Sequence, residues 1–115
     1  MSQWRTIYSH MKTNGFDVYS PGQHEGDCVA PYIVVRDEGT QKLSGFSSTQ
    51  SLYDILCYVP QRNFSQLEPF VKSVKEAMKG LYPEFIPTYF ETGSFLDETV
   101  KGHMISVQYR TNRKI

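Results

Sequence analysis

Net charge, long apolar runs, paired cysteines and catalytic signatures are all scarce in this 115-residue sequence, and each scarcity removes a class of function. Twelve Lys and Arg balance twelve Asp and Glu, so no net field draws the chain to nucleic acid or an anionic membrane. No run approaches the roughly 18 apolar residues of a membrane span, and the first twenty residues hold no apolar run after a basic start. These features predict a soluble chain made in the cytoplasm, with no membrane partner. Cys28 and Cys57 lie far apart and outside any Cys-x-x-Cys spacing, which predicts free thiols rather than a metal clip or a disulfide. The phosphate-binding glycine loop, the dinucleotide loop and the serine elbow of hydrolases are all absent. The expectation is a protein with no catalysis, no cofactor and no metal.

Isolated chemical residues do not change that reading. His10, His24 and His103 are scattered, none four residues from another, so each reads as a solvated or edge-strand histidine. Glu25 and Asp27 beside Cys28 are too few for a calcium loop. Cys57 and His103 superficially suggest a Cys–His pair, but Cys57 alternates with Tyr53, Ile55 and Val59, which favours a core thiol.

What is present is one strong helix. Leu67, Phe70, Val71, Val74, Met78 and Leu81 recur at helical spacing between Ser65 and Pro83, with Lys72, Lys75, Glu76 and Lys79 off that stripe. Ser65 with Glu68 spells a capping box, while Pro69 suits the first helical position if Glu68 is the cap. Gly80 and Pro83 mark the end. Trp4, Ile7, Tyr8 and Met11 predict a first helix over residues 2 to 14, stopped at Asn14-Gly15. Residues 16 to 19 read as extended, and residues 20 to 28 as a polar, mobile loop.

Strands are predicted at 32–36, 52–59, 88–92 and 103–109, with long loops at 37–50 and 93–102 and a flexible basic tail at 110–115. Strands paired around a helix without βαβ regularity predict a single α+β domain over residues 1–115. Its architecture is a mostly antiparallel four- to five-stranded sheet with both helices on one face. Leu52, Leu56 and Tyr58 make the second face of the 52–59 strand apolar except at Asp54, so the first helix or a neighbouring subunit is expected to cover it, and with both helices on one face the subunit is left. Eight of the sixteen aromatic residues are Tyr, a residue favoured at subunit contacts.

The segments 32–40 (YIVVRDEGT), 53–60 (YDILCYVP), 62–88 (RNFSQLEPFVKSVKEAMKGLYPEFIPT) and 101–110 (KGHMISVQYR) resemble the small tail-terminator, or tail-completion, proteins of tailed bacteriophages and prophages. The likeness covers roughly residues 30 to 112 and rests on element order rather than on a catalytic motif. It implies a hexameric ring at the head-proximal end of the tail tube, which stops tube polymerisation and joins tail to head. The implied partners are further copies of the chain, the tail tube protein and a head-completion or connector protein, with DNA passing through without specific binding. The implied location is the head–tail junction of the virion. Another neck protein, or a cellular non-enzymatic α+β binding module, remains the alternative.

Within such a ring, residue patterns nominate Leu52, Leu56, Tyr58, Phe46, Phe95 and Lys101 as contacts with a subunit or partner. Glu91, Asp97 and Glu98 are the acidic candidates for facing the channel. The run from Glu84 to Glu98 has no basic residue and the run from Lys101 to Lys114 no acidic one, so opposite patches are expected to orient neighbours. The apolar face is expected to supply most of the contact energy, at about 25 cal/mol per Å² against roughly 0–1 kcal/mol for an exposed ion pair.

Overall fold

The computed structural model describes residues 3–42 and 48–114. Among them are two α-helices, α1 (Trp4–Thr13) and α2 (Leu67–Met78). The six strands are β1 (Val18–Tyr19), β2 (Tyr32–Lys42), β3 (Ser48–Pro60), β4 (Ile86–Glu91), β5 (Phe95–Asp97) and β6 (Gly102–Lys114). They form one sheet in the order β1-β2-β3-β6-β4, with β5 also paired to β6. The α+β class is as expected, but the sheet has more strands and is mixed, because β1 runs parallel to β2 through Val18–Ile33 and Tyr19–Val34.

Both helices lie on one face. Ile7 and Met11 of α1 and Leu67, Val71, Val74 and Met78 of α2 join Ile33, Val35, Tyr53, Ile55, Cys57, Val59 and Val107 in the main core. The end of α1 follows from its sequence: Gly15 adopts φ +87°, Phe16 N–H bonds the Met11 carbonyl and Gly15 N–H bonds that of Lys12. This is the paired bonding of a glycine-terminated helix. At α2 the expected capping box does not form. A 3₁₀ turn over Gln61–Gln66 leads straight into Leu67 without a side-chain cap, and Pro69 sits within the first turn, where no backbone donor is needed.

Three predicted irregular stretches contain strand. β2 continues to Lys42 and β3 begins at Ser48, so most of the expected 37–50 loop is an antiparallel ribbon. A bulge between Asp37 and Gly39, with Gly39 at φ +105°, adjusts its twist. The expected flexible tail is instead the third strand of that ribbon through Lys114, with Arg110 opposite Leu52 and Thr111 opposite Ser51. Ser51 and Thr111 are buried. In the expected 93–102 loop, β5 pairs Phe95 with Met104 and Leu96 with His103.

The second sheet face is covered by the chain itself. Cys28, Tyr32, Leu56, Tyr58 and Met104 form a smaller buried cluster, flanked by Tyr19, Val34 and Val100. Asp54, the polar interruption of that face, is buried and receives Arg36 at 3.0 Å from the adjacent strand.

Candidate functional site

α1 and α2 leave the β4 margin of the helix-bearing face uncovered, and a groove of about 770 Å³ opens there between the end of α2 and strands β4 and β6. Met78, Phe85, Val107 and Tyr109 line it and are themselves nearly fully buried. Burial pushes the Tyr109 phenol above its ordinary range, with the nearby Cys57 and Glu91 acting in the same direction. An ion pair from Lys75 of α2 to Glu91 of β4 ties the two walls together.

The rim is aromatic. Tyr82 is 64% exposed, Phe90 59% and Tyr89 90%, although burying a large apolar or aromatic side chain is worth roughly 1.5–3 kcal/mol. The β4–β6 register shifts between Pro87 and Glu91, and within that bulge Tyr89 holds φ +65°. A positive φ is costly for a bulky residue, on the order of 1–3 kcal/mol. Thr88 stabilises the bulge, its hydroxyl donating to Gln108 Oε1 at 2.9 Å and accepting from Phe90 N–H at 3.2 Å. The backbone is therefore held in a strained form that turns a tyrosine into solvent.

The residues nominated from sequence do not gather at this groove. Leu56 and Tyr58 sit together but buried, each 8% exposed, under the chain's own residues; the free apolar face on which their interface role rested is not there. Leu52 is half-buried on the same sheet face. Phe95 is half-exposed on β5, and Phe46 lies outside the described residues. Glu91 is engaged by Lys75, and Lys101 lies 3.8 Å from Asp27, so neither stands as an unpaired charge for a neighbour. Asp97 is half-buried and accepts a bond from Thr99 N–H at 3.0 Å, whereas Glu98 is exposed.

The histidines are less solvated than expected. His10 Nε2 lies 2.7 Å from the Ala77 carbonyl, His24 stacks on Tyr32, and His103 contacts the Gln61 carbonyl at 3.1 Å and the Phe64 ring. Cys57 and His103 are not cross-strand partners, since Cys57 faces Ile105 and His103 faces Val59. Both thiols are free and buried. Among the described residues no group of three or more His, Cys, Asp or Glu side chains is positioned to hold a metal ion.

Sequence reasoning missed Tyr82, Tyr89 and Phe90. The available signal was that none of them falls on an amphipathic stripe, and that all lie near Pro83 and Pro87, which interrupt regular hydrogen bonding. Fold and groove together define a small α+β domain carrying a strained, aromatic-rimmed surface. Against protein-family models and curated proteins the chain finds no match.

Proposed function

We propose that this chain is a structural assembly subunit, a phage tail terminator of the kind its sequence resembles, and that the aromatic groove is one of its contact surfaces for a second copy. The observation that carries the reading is Tyr89, held at φ +65° and 90% exposed beside Phe90. Strain maintained at a residue left almost wholly exposed supports a site kept for an external contact. Exposed Tyr and Phe around a pocket with a buried apolar floor also fit the anchor composition of protein interfaces.

In this reading the groove receives an apolar projection from the neighbouring copy, and repetition of that unlike contact closes a ring. The hexameric state, the joining of tail tube to head-completion protein, the passage of DNA and the location at the head–tail junction follow from the resemblance. The role is structural rather than catalytic.

The test pairs native mass spectrometry of the 13.3 kDa chain with electron microscopy of tails made with wild-type protein, Tyr89→Asp or Phe90→Asp. Expected are a species about six times the monomer mass for the wild type, and folded variants that neither form it nor join tails. Folded variants that assemble and join tails normally would overturn the reading.

A further inference from the structure

Residues 20–31 connect β1 to β2, and because those strands are parallel the connection must travel back along the sheet over one of its faces. The helices hold one face, so the connection crosses the other. Of Pro21 to Ala30, only His24 and Cys28 are withdrawn from solvent; the remaining eight residues are exposed. Beneath lie Tyr32, Leu56, Tyr58 and Met104, none more than 8% exposed.

Few contacts fasten this cover. The His24 ring stacks on Tyr32 at 3.9 Å and 4°, Tyr32 stacks on Tyr58 at 4.7 Å and 8°, and Tyr19 meets both His24 and Tyr32 edge-on. The second fastening is Cys28, packed so close to Gly102 that a Cβ added there would stand 2.9 Å from Cys28 Cβ and 3.3 Å from its Sγ. Among the described residues, one backbone bond, from Cys28 N–H to the Val100 carbonyl, and one exposed ion pair, Asp27 with Lys101 at 3.8 Å, tie the segment to a distant part of the chain. Gly22 and Gly26 flank His24 at φ +80° and +79° with open space around them. A surface cavity of about 520 Å³ separates Asp27–Val29 from Pro60–Arg62. Segments with few buried contacts and exposed backbone open at free energies well below that of global unfolding.

We propose that residues 20–31 form a releasable strap, opening while the sheet stays folded and uncovering the apolar face of Tyr32, Leu56, Tyr58 and Met104. Closed, the strap withholds an adhesive surface; open, it offers that surface and the Cys28 thiol together. The opening stands independently of the assembly reading. Only its use, to delay self-association until a subunit is placed, rests on that reading.

The two thiols make the test direct. Cys28 is buried on the inner side of the strap and Cys57, 0% exposed, lies in the main core, so their modification by an aromatic disulfide reagent, followed by absorbance and peptide mass mapping, times two different openings. In native buffer Cys28 is expected to react at least about tenfold faster than Cys57, with a rate nearly independent of low urea, as local opening requires. His24→Ala is expected to raise the Cys28 rate several-fold and leave Cys57 unchanged, while His24→Phe, which keeps a stacking ring, stays near wild type. Equal rates for both thiols with the same urea dependence, or a His24→Ala variant of unchanged circular dichroism whose Cys28 rate does not rise, would overturn the strap. Oligomer mass plays no part in this readout, so failure of the assembly reading is separately visible.

Discussion

The imidazole of His10 lies directly against Gly80, so that a Cβ at Gly80 would stand 2.8 Å from His10 Cε1 and 3.0 Å from Nε2. The same ring reaches the Ala77 carbonyl at 2.7 Å. Glycine at this position is what lets α1 dock on the end of α2. Gly80→Ala should therefore destabilise the fold despite the better helix propensity of alanine, and His10→Ala should cost about 1 kcal/mol for the lost hydrogen bond. In the double variant the steric part of the Gly80→Ala cost should vanish. Urea titration of the four proteins measures the coupling, and strict additivity would refute the contact.

Val74 is fully buried at the centre of the main core. Val74→Asp should prevent folding, because an unpaired charge there costs several kcal/mol against a total stability of about 5–15 kcal/mol. Circular dichroism and the soluble yield report the outcome. A soluble, cooperatively melting variant would contradict the packing of α2 on the sheet.

Burial pushes the Cys28 thiol from 9.0 up to about 11. A value raised on folding stabilises the native state fully below the unfolded value and ceases to do so as pH climbs through the folded one. The melting temperature should thus fall progressively between pH 9 and 11, with the raised Tyr32 and Tyr109 phenols extending the loss to higher pH. Cys28→Ala should have a shallower decline across that window. An identical pH profile for the two proteins would show that the thiol is not desolvated.

Tyr89 offers a way to separate stability from assembly. Tyr89→Gly relieves a positive φ that glycine adopts freely, and should leave the melting temperature equal to or above that of wild type. Removal of a ring that is 90% exposed deprives the native monomer of little. The same variant should assemble less well if the rim is a contact surface. Thermal melts and native mass spectrometry on one sample supply both measurements, and a large loss of stability would show that the Tyr89 ring packs within the monomer.

The parts of this fold legible in the sequence were those with apolar periodicity. Val71, Val74 and Met78 specified the buried face of α2, and Tyr53, Ile55, Cys57 and Val59 specified the core face of β3. The distal ribbon carried no such signal. Asp37, Glu38 and Thr40 on one strand and Arg110, Thr111 and Asn112 on another are polar on both faces, so nothing in their pattern separates strand from loop; backbone pairing with β3 decides it. The cover over Leu56 and Tyr58 was equally hidden, because a segment that buries only Cys28 and half-buries His24 looks like any exposed loop. The groove was missed for a related reason: it is defined by Tyr82, Tyr89 and Phe90 failing to pack, and periodicity identifies only residues that do.

The position of β6 also bears on how the chain is made. β6 lies between β3 and β4 and is the strand to which β4 and β5 both pair, yet it is the last of the six in sequence. Synthesis runs from the N-terminus at roughly 5–20 residues per second. Throughout that time β4 and β5 wait without a ladder partner, and the far edge of β3 stays open. The sheet is therefore completed only after Gly102–Lys114 has cleared the ribosome, which makes a nascent chain stalled before that point a sticky, three-stranded fragment and a natural substrate for chaperones and proteases.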